Sequence, residues 1–419
     1  MQAASIVKAD ADNYRELLSR LQPGDTLLLE PGVYKKGLPV HRLHGSEDKP
    51  IIIMGPSNGP LPSFPARLGH NTISIINASY IVVRNLALDG RGMAVDGVKC
   101  EGHADWAHHI TLENLIIKGH GNNQQTVGIS TKCPAWNWII RSNTIFGAGT
   151  GMYLGNSDGN APFVSGVIEK NLIMDTMGYN LQVKHQNARP EIPGMPQDPS
   201  FTIIRHNVFS KENGAATGPL ARPNVLVGHW PVKGDGSKDT YEIYGNFFYQ
   251  NPTESLFQGE GNIALYNNIF VSDHGDAIRI QPHNDIPRAI HIFYNTVVTP
   301  ETGISVIPGQ GSENYVQHVS ANVIFASKPI IAKSQESNSI GKMEEAVEYL
   351  LKPFAPLGAM DLYPKVKSMK SQLVDTTAFR NFEDWDIDFN KRKRNEHVRG
   401  AYGGKSVNPG WLLQLERKP

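Results

Sequence analysis

The sequence has almost no cysteine, no excess of either charge and no long apolar run, and each shortage closes a class of function. Two cysteines in 419 residues rule out a disulfide-dense scaffold and make a cysteine-based metal centre untenable. Lys plus Arg equals Asp plus Glu at 40 each, so no global basic field argues for nucleic acid, and capture of a polyanion would have to be local. The basic run Lys391-Arg392-Lys393-Arg394 is read as a solvated face. No apolar stretch is long enough to span a bilayer, and no hydrophobic leader opens the chain. The start Met1-Gln2-Ala3-Ala4-Ser5 is expected to be an initiator Met before a terminus left by signal cleavage, which implies a secreted or periplasmic protein. What is plentiful is turn chemistry: 40 Gly and 28 Pro, with many turns and little helix.

One phrase returns throughout: an apolar strand, an Asn, then more apolar residues. The Asn positions are 85, 114, 143, 171, 207, 246, 268, 295 and 322, with differences of 29, 29, 28, 36, 39, 22, 27 and 27. A period in the twenties with insertions at two points marks a repeat architecture. The segments alternate and favour Val, Ile, Phe and Tyr between Gly, Asn, Asp and Pro turns, so each repeat is a coil of short strands rather than a helix pair. Stacked one strand spacing apart, about ten such coils make a rod roughly 50 Å long at ~4.8 Å each. An Asn at the same corner of every coil can pass amide hydrogen bonds to the Asn above and below. Cys100 and Cys133 fall in neighbouring coils; two small buried thiols are the expected state, a disulfide between coils the alternative.

On these residues the chain resembles the right-handed parallel β-helix proteins, the architecture of pectate lyases, alginate lyases and chondroitinase B. The resemblance covers residues 25–335 and speaks for fold, not activity. Residues 1–24 are expected to form a capping helix, with Tyr14, Leu17, Leu18 and Leu21 on one face over the open first coil. The phrase Pro23 to Tyr34 resembles the opening of many β-helix enzymes. Residues 336–419 should hold a second amphipathic helix over Gly341 to Phe354 and a tail packed along the rod, whose segment Asp388 to Gly404 resembles the closing part of related proteins. Stacking pairs the strand edges, so a monomer is expected.

After each Asn corner comes a second strand whose alternation can be used. Val98, Cys100, Ile129, Thr131, Met152, Leu154, Leu181, Val183, Val225, Val227, Ile278, Ile280, Ile304 and Val306 read as inward. The outward set is then Lys99, Glu101, Ser130, Lys132, Tyr153, Gln182, Lys184, Leu226, Gly228, Arg279 and Gln281. The two longest spacings put the largest loops beside Lys184 and His229, and long loops on a rigid solenoid build clefts.

A groove with cationic walls suits an extended acidic polysaccharide. On a uronate polymer the step is β-elimination: a base takes the C5 proton, cations neutralise the adjacent carboxylate, and an acid serves the departing O4. The stretch Val183-Lys184-His185-Gln186-Asn187 resembles the pattern around the catalytic Lys of the alginate lyase and chondroitinase B family, which implies Lys184 as base. That family places acidic calcium ligands before its Lys, whereas Met177 to Gln182 holds no carboxylate, so calcium is left open and Arg189 or Arg222 is expected to neutralise the substrate. The family's partner Arg has no match; His229 lies there and is the expected acid. Tyr153, Tyr179, Gln182, His185, Trp230, Gln258, Glu260, Arg279 and His283 are the expected sugar contacts. Ile280-Gln281-Pro282-His283-Asn284-Asp285 resembles the Asp-Pro-His motif of β-helix mannuronan epimerases, with Gln281 in place of Asp. A hydrolase would need two carboxylates about 5–9 Å apart, and Asp158, Glu254, Glu260, Asp273 and Asp276 are scattered over several coils. A non-catalytic carbohydrate-binding rod would show the same cations and aromatics.

Overall fold

The structure, a computed structural model, describes residues 5–366, 373–395 and 397–419; the expected processing point near Met1 lies outside them. Alternating strands with an apolar face on one side only must stack that face inward. Here they form three parallel sheets, one of fifteen strands and two of eleven, in which each strand pairs with its counterpart one repeat away. The chain is a parallel β-helix. All fourteen residues read as inward on the second strand of each coil are buried.

The Asn corners work by two devices. Asn143, Asn171, Asn207, Asn246, Asn268, Asn295 and Asn322 are fully buried, and each donates its Nδ2 to the Oδ1 of the next at 2.9–3.0 Å, ending on Asn338. The preceding residue turns the corner in the left-handed region, from Ser142 (φ 57°) to Ala321 (φ 56°). Asn85 and Asn114 differ from the expected register. They occupy the left-handed corner themselves (φ 58° and 52°), and the strand pairing puts Leu86 and Leu115 at the ladder position. Asn tolerates positive φ and also builds ladders, so one residue type marks two adjacent positions.

The capping helix expected within residues 1–24 is reduced to Tyr14–Leu18, whose Tyr14 and Leu18 bury against the first coil. Gly341 to Phe354 is mixed: a strand ending at Gly341, a 3-10 turn at Met343–Glu345, a helix at Ala346–Tyr349 and a strand at Leu350–Lys352. The later chain lies over two sheets from outside. Leu350, Leu362, Tyr363, Phe389, Tyr402 and Leu413 pack on Leu172, Val208, Phe247, Ile269 and Val323, and Val374 and Phe379 pack on Tyr266 and Phe293. Within the basic run, Arg394 is buried, giving its guanidinium to Asn267 and four backbone carbonyls, contrary to a wholly solvated face. Further on, Arg417 reaches Asn114 Oδ1 (2.8 Å), and Lys418 is buried on the carbonyls of Gly245 (2.8 Å) and Phe389 (2.6 Å).

Cys100 and Cys133 are joined as a disulfide, which replaces the expected pair of free thiols. Their separation of 33 residues closes a loop worth roughly 3–4 kcal/mol in the chain-entropy account. Reduction is therefore expected to lower the unfolding free energy by that order and the urea midpoint with it; an unchanged midpoint with the thiols shown free would contradict it.

Candidate functional site

The sheet that carries the site runs in order through Leu38–His41, Ile73–Ile76, Val98–Cys100, Val127–Thr131, Thr150–Leu154, Leu181–Val183, Val225–Val227, Phe257–Gly259, Ile278–Ile280, Thr302–Val306 and Lys328–Ile331. Its register stacks Lys99, Ser130, Tyr153, Gln182, Leu226, Gln258 and Arg279 in one column facing away from the core. Two of the column are buried, Gln182 and Ser130, and Ser130 donates to Asp96 Oδ2 at 3.0 Å. One position beyond the strand ends, the same register aligns Lys132, Gly155 and Lys184.

The glycine between the two lysines is required. Gly155 sits at φ +93°, and a Cβ there would lie 3.2 Å from the Cβ of Lys184. Gly155→Ala is expected to cost about 1–3 kcal/mol through backbone strain alone. Because it also pushes on Lys184, any activity should fall more steeply than the thermal midpoint does; equal loss of both would show that the glycine serves only folding.

A cavity of about 480 Å³ opens over these columns, lined by Lys99, Lys132, Tyr153, Gln182 and Lys184 from the sheet and by Asp96, Gln124, Tyr179 and Arg222 from corners and loops. Burial is the main influence on its titrating groups. It holds Lys132 down to about 7, with Lys99 and Lys184 pushing the same way and Asp96 and Asp158 opposing. Burial lowers Lys184 as well, against the pull of Glu260. The Tyr153 phenol is pushed up to about 12, by burial and then by Tyr179, and burial also raises Tyr179. The Nζ of Lys132 lies 3.3 Å from the centroid of the Tyr153 ring. Asp96 is committed to structure: its carboxylate accepts from Val127 N–H (2.9 Å) and Ser130 and stands 3.5 Å from the Lys99 ammonium. The Lys184 ammonium has no ion-pair or hydrogen-bond partner among the described residues, although its backbone N–H donates to the Leu154 carbonyl (2.8 Å).

Of the residues expected from sequence, Tyr153, Tyr179, Gln182, Lys184 and Arg222 meet in this cavity. Others are elsewhere. Arg189 is buried in an ion pair with Asp239 (2.7 Å, 1% and 0% exposed), so it cannot neutralise a substrate. Trp230 is buried and stacks on Tyr241 at 4.2 Å, a core residue rather than a sugar platform. His229 is 6% exposed, its Nδ1 bonded to the Trp230 carbonyl at 2.7 Å and its ring stacked on His185; it lies outside the cavity and cannot serve as its acid. Glu260 is 1% exposed and accepts the backbone N–H groups of His283, Asn284 and Asp285, which makes it a loop anchor. Gln258 bonds Ser255 (3.1 Å), and Arg279 lies between Glu254 (3.5 Å) and Asp276 (3.7 Å), further along the same sheet. His185 and His283 flank that stretch, with Asn284 Nδ2 at 3.4 Å from His185 Nδ1. Lys132 and Asp96 are the site residues that sequence reasoning passed over as functional. The signal was present, since Lys132 lies in the outward set one coil before Tyr153.

Calcium, which takes six to eight oxygen ligands, does not fit this donor set: Asp96 is the cavity's one carboxylate and is already engaged, and among the described residues no three His, Cys, Asp or Glu converge as a metal site.

No protein-family model and no curated protein matches the chain. Solved structures similar to it include an alginate lyase from Paenibacillus sp. (15% identity over 81% of this chain and 98% of that one, TM-score 0.43). Two more are a PL6 family polysaccharide lyase from Pseudopedobacter saltans (13%, 89% and 98%, TM-score 0.45) and a GH136 lacto-N-biosidase from Eubacterium ramulus (12%, 81% and 68%, TM-score 0.42). Likeness at this level carries no argument about the reaction.

Proposed function

We propose that this chain is a polysaccharide lyase that cleaves a uronic-acid-containing polysaccharide by β-elimination in the cavity over Lys132, Tyr153 and Lys184. One observation carries the reading: a lysine held near pH 7 lies against a phenol held protonated, beside two further cations. A neutral amine is a base, and the base role that the sequence suggested for Lys184 passes to Lys132 because its proton is the more weakly held. Lys184 and Arg222 neutralise the substrate carboxylate, which lets charge develop at C5. Lys132 takes the C5 proton, the C5–H electron pair becomes the C4–C5 double bond, the C4–O4 bond breaks, and Tyr153 gives its proton to O4. The resulting phenolate then recovers a proton from the adjacent Lys132 ammonium, a downhill transfer from a group near 7 to one near 12. The Cys100–Cys133 bond supports an oxidising compartment outside the cytoplasm.

The test is ultraviolet absorbance during incubation with alginate, pectate, glycosaminoglycans and glucuronan. Growth of signal from a C4–C5 unsaturated end supports the proposal. A flat trace on all of them, with C5 proton exchange or reducing-end release in its place, would assign epimerase or hydrolase chemistry instead.

A further inference from the structure

A second cavity, of about 530 Å³, lies over the first three strands of the same sheet, and its walls are basic: Arg15, Lys36, His41, Arg67, His70 and His103. Its lasting cations are Arg15, Lys36 and Arg67 against a single carboxylate, a local excess of positive charge in a chain that has none overall. The cavity's one carboxylate, Glu101, is turned to internal use, accepting from Asn71 Nδ2 (2.9 Å) and Ser74 Oγ (2.8 Å), while Ser74 Oγ also meets His41 Nε2 at 3.0 Å. No acidic residue pairs with Arg15, Lys36 or Arg67 among the described residues, and the buried Nε of Arg67 has no hydrogen-bond partner. An unsatisfied guanidinium N–H beside unpaired cations is costly unless an anion comes to them.

The two cavities share a wall. Asn71 lines both, and its Oδ1 accepts the N–H of Asp96 in the central cavity (3.0 Å). Three strand steps, from Leu38–His41 to Val127–Thr131, separate His41 from Lys132, roughly 14 Å at ~4.8 Å per step. A disaccharide in the central cavity cannot reach across that distance; a longer chain can.

We infer that this basic cavity is a distal subsite for the carboxylate or sulfate groups of the same polysaccharide chain, several sugars from the bond that is cleaved. The occupant's identity rests on the function proposed above; the anion chemistry rests on the cavity itself. The subsite makes the protein select by chain length, holding long polyanions and releasing short products.

Calorimetric titration of the full chain tests this, with Lys132→Ala included to prevent turnover. The probes are a dimer and a hexamer of mannuronate and the same pair of galacturonate. With at least one sugar the hexamer is expected to bind about tenfold or more tightly than the dimer, with the surplus falling as salt rises. Arg67→Ala should abolish that surplus. Lys36→Ala with His70→Ala, two exposed side chains whose loss does not threaten folding, should reduce it severalfold. Equal affinity for dimer and hexamer, no binding of either hexamer, or a surplus that survives both sets of changes would overturn the subsite. A surplus that behaves as expected in a wild-type protein making no unsaturated product would uphold the subsite and defeat the elimination reading alone.

Discussion

Lys132→Ala is expected to cut elimination by about 10²–10⁴-fold, the range lost with a general base, while affinity for the polymer changes little. The pH profile supplies the sharper signature. Because Lys132 is held down to about 7, its amine is neutral above that pH, so kcat/KM should rise through pH 7 as the proton is lost. Lys184 is one of the cations that hold it there. Lys184→Ala should therefore lower turnover and also move the rising limb to higher pH, which loss of a mere binding contact would not do. Stopped assays across pH 5.5–9.5 on both variants settle the matter: an unshifted limb in Lys184→Ala, or near-normal turnover in Lys132→Ala, removes Lys132 from the base role.

Asn207→Ala is expected to destabilise the protein by about 3–5 kcal/mol, far beyond an ordinary Asn substitution. The side chain is fully buried, accepts from the backbone and Nδ2 of Asn171, and donates to the Ile168 carbonyl and Asn246 Oδ1, so its loss strands several buried polar groups at once. Position in the ladder should matter. Asn143 adjoins a coil where Leu115 fills the equivalent place, so Asn143→Leu extends an existing apolar column and is expected to cost less than Asn207→Leu. Urea unfolding of the two leucine variants orders them; equal losses would mean that the ladder's continuity carries no energy beyond each local bond.

The inward and outward faces of the coils were legible because a strand's side chains alternate strictly, and each repeat carried enough Val, Ile and Leu to phase the pattern. The Asn period located the coils but blurred the register at Asn85 and Asn114, where the same residue type satisfies the left-handed corner. Site residues were legible where the strand itself aims them, as with Tyr153, Gln182 and Lys184. They were illegible where the deciding partner lies far along the chain. Arg189 reads as a free cation until Asp239, fifty residues on, is seen to bury it, and Trp230 reads as an exposed aromatic until Tyr241 stacks against it. What no segment shows of Lys132 is its loosely held proton, which comes first from burial in the stack and then from Lys99 and Lys184 on other coils, against the pull of Asp96.

A solenoid in which every turn touches only its neighbours can unzip from an end, one turn at a time, with no sharp transition. Here the described residues beyond 340 are laid lengthwise across the turns, clasping the apolar outer faces from Leu172 to Val323, with Arg417 fastened at Asn114 and Lys418 at Gly245. A turn in the middle cannot open without lifting that clasp, and the clasp cannot lift without baring many turns at once. What would be a row of loosely coupled units thus gains one shared transition, and a protease cutting between residues 340 and 350 should turn a single sharp melt into a drawn-out one while leaving every strand in place at low temperature.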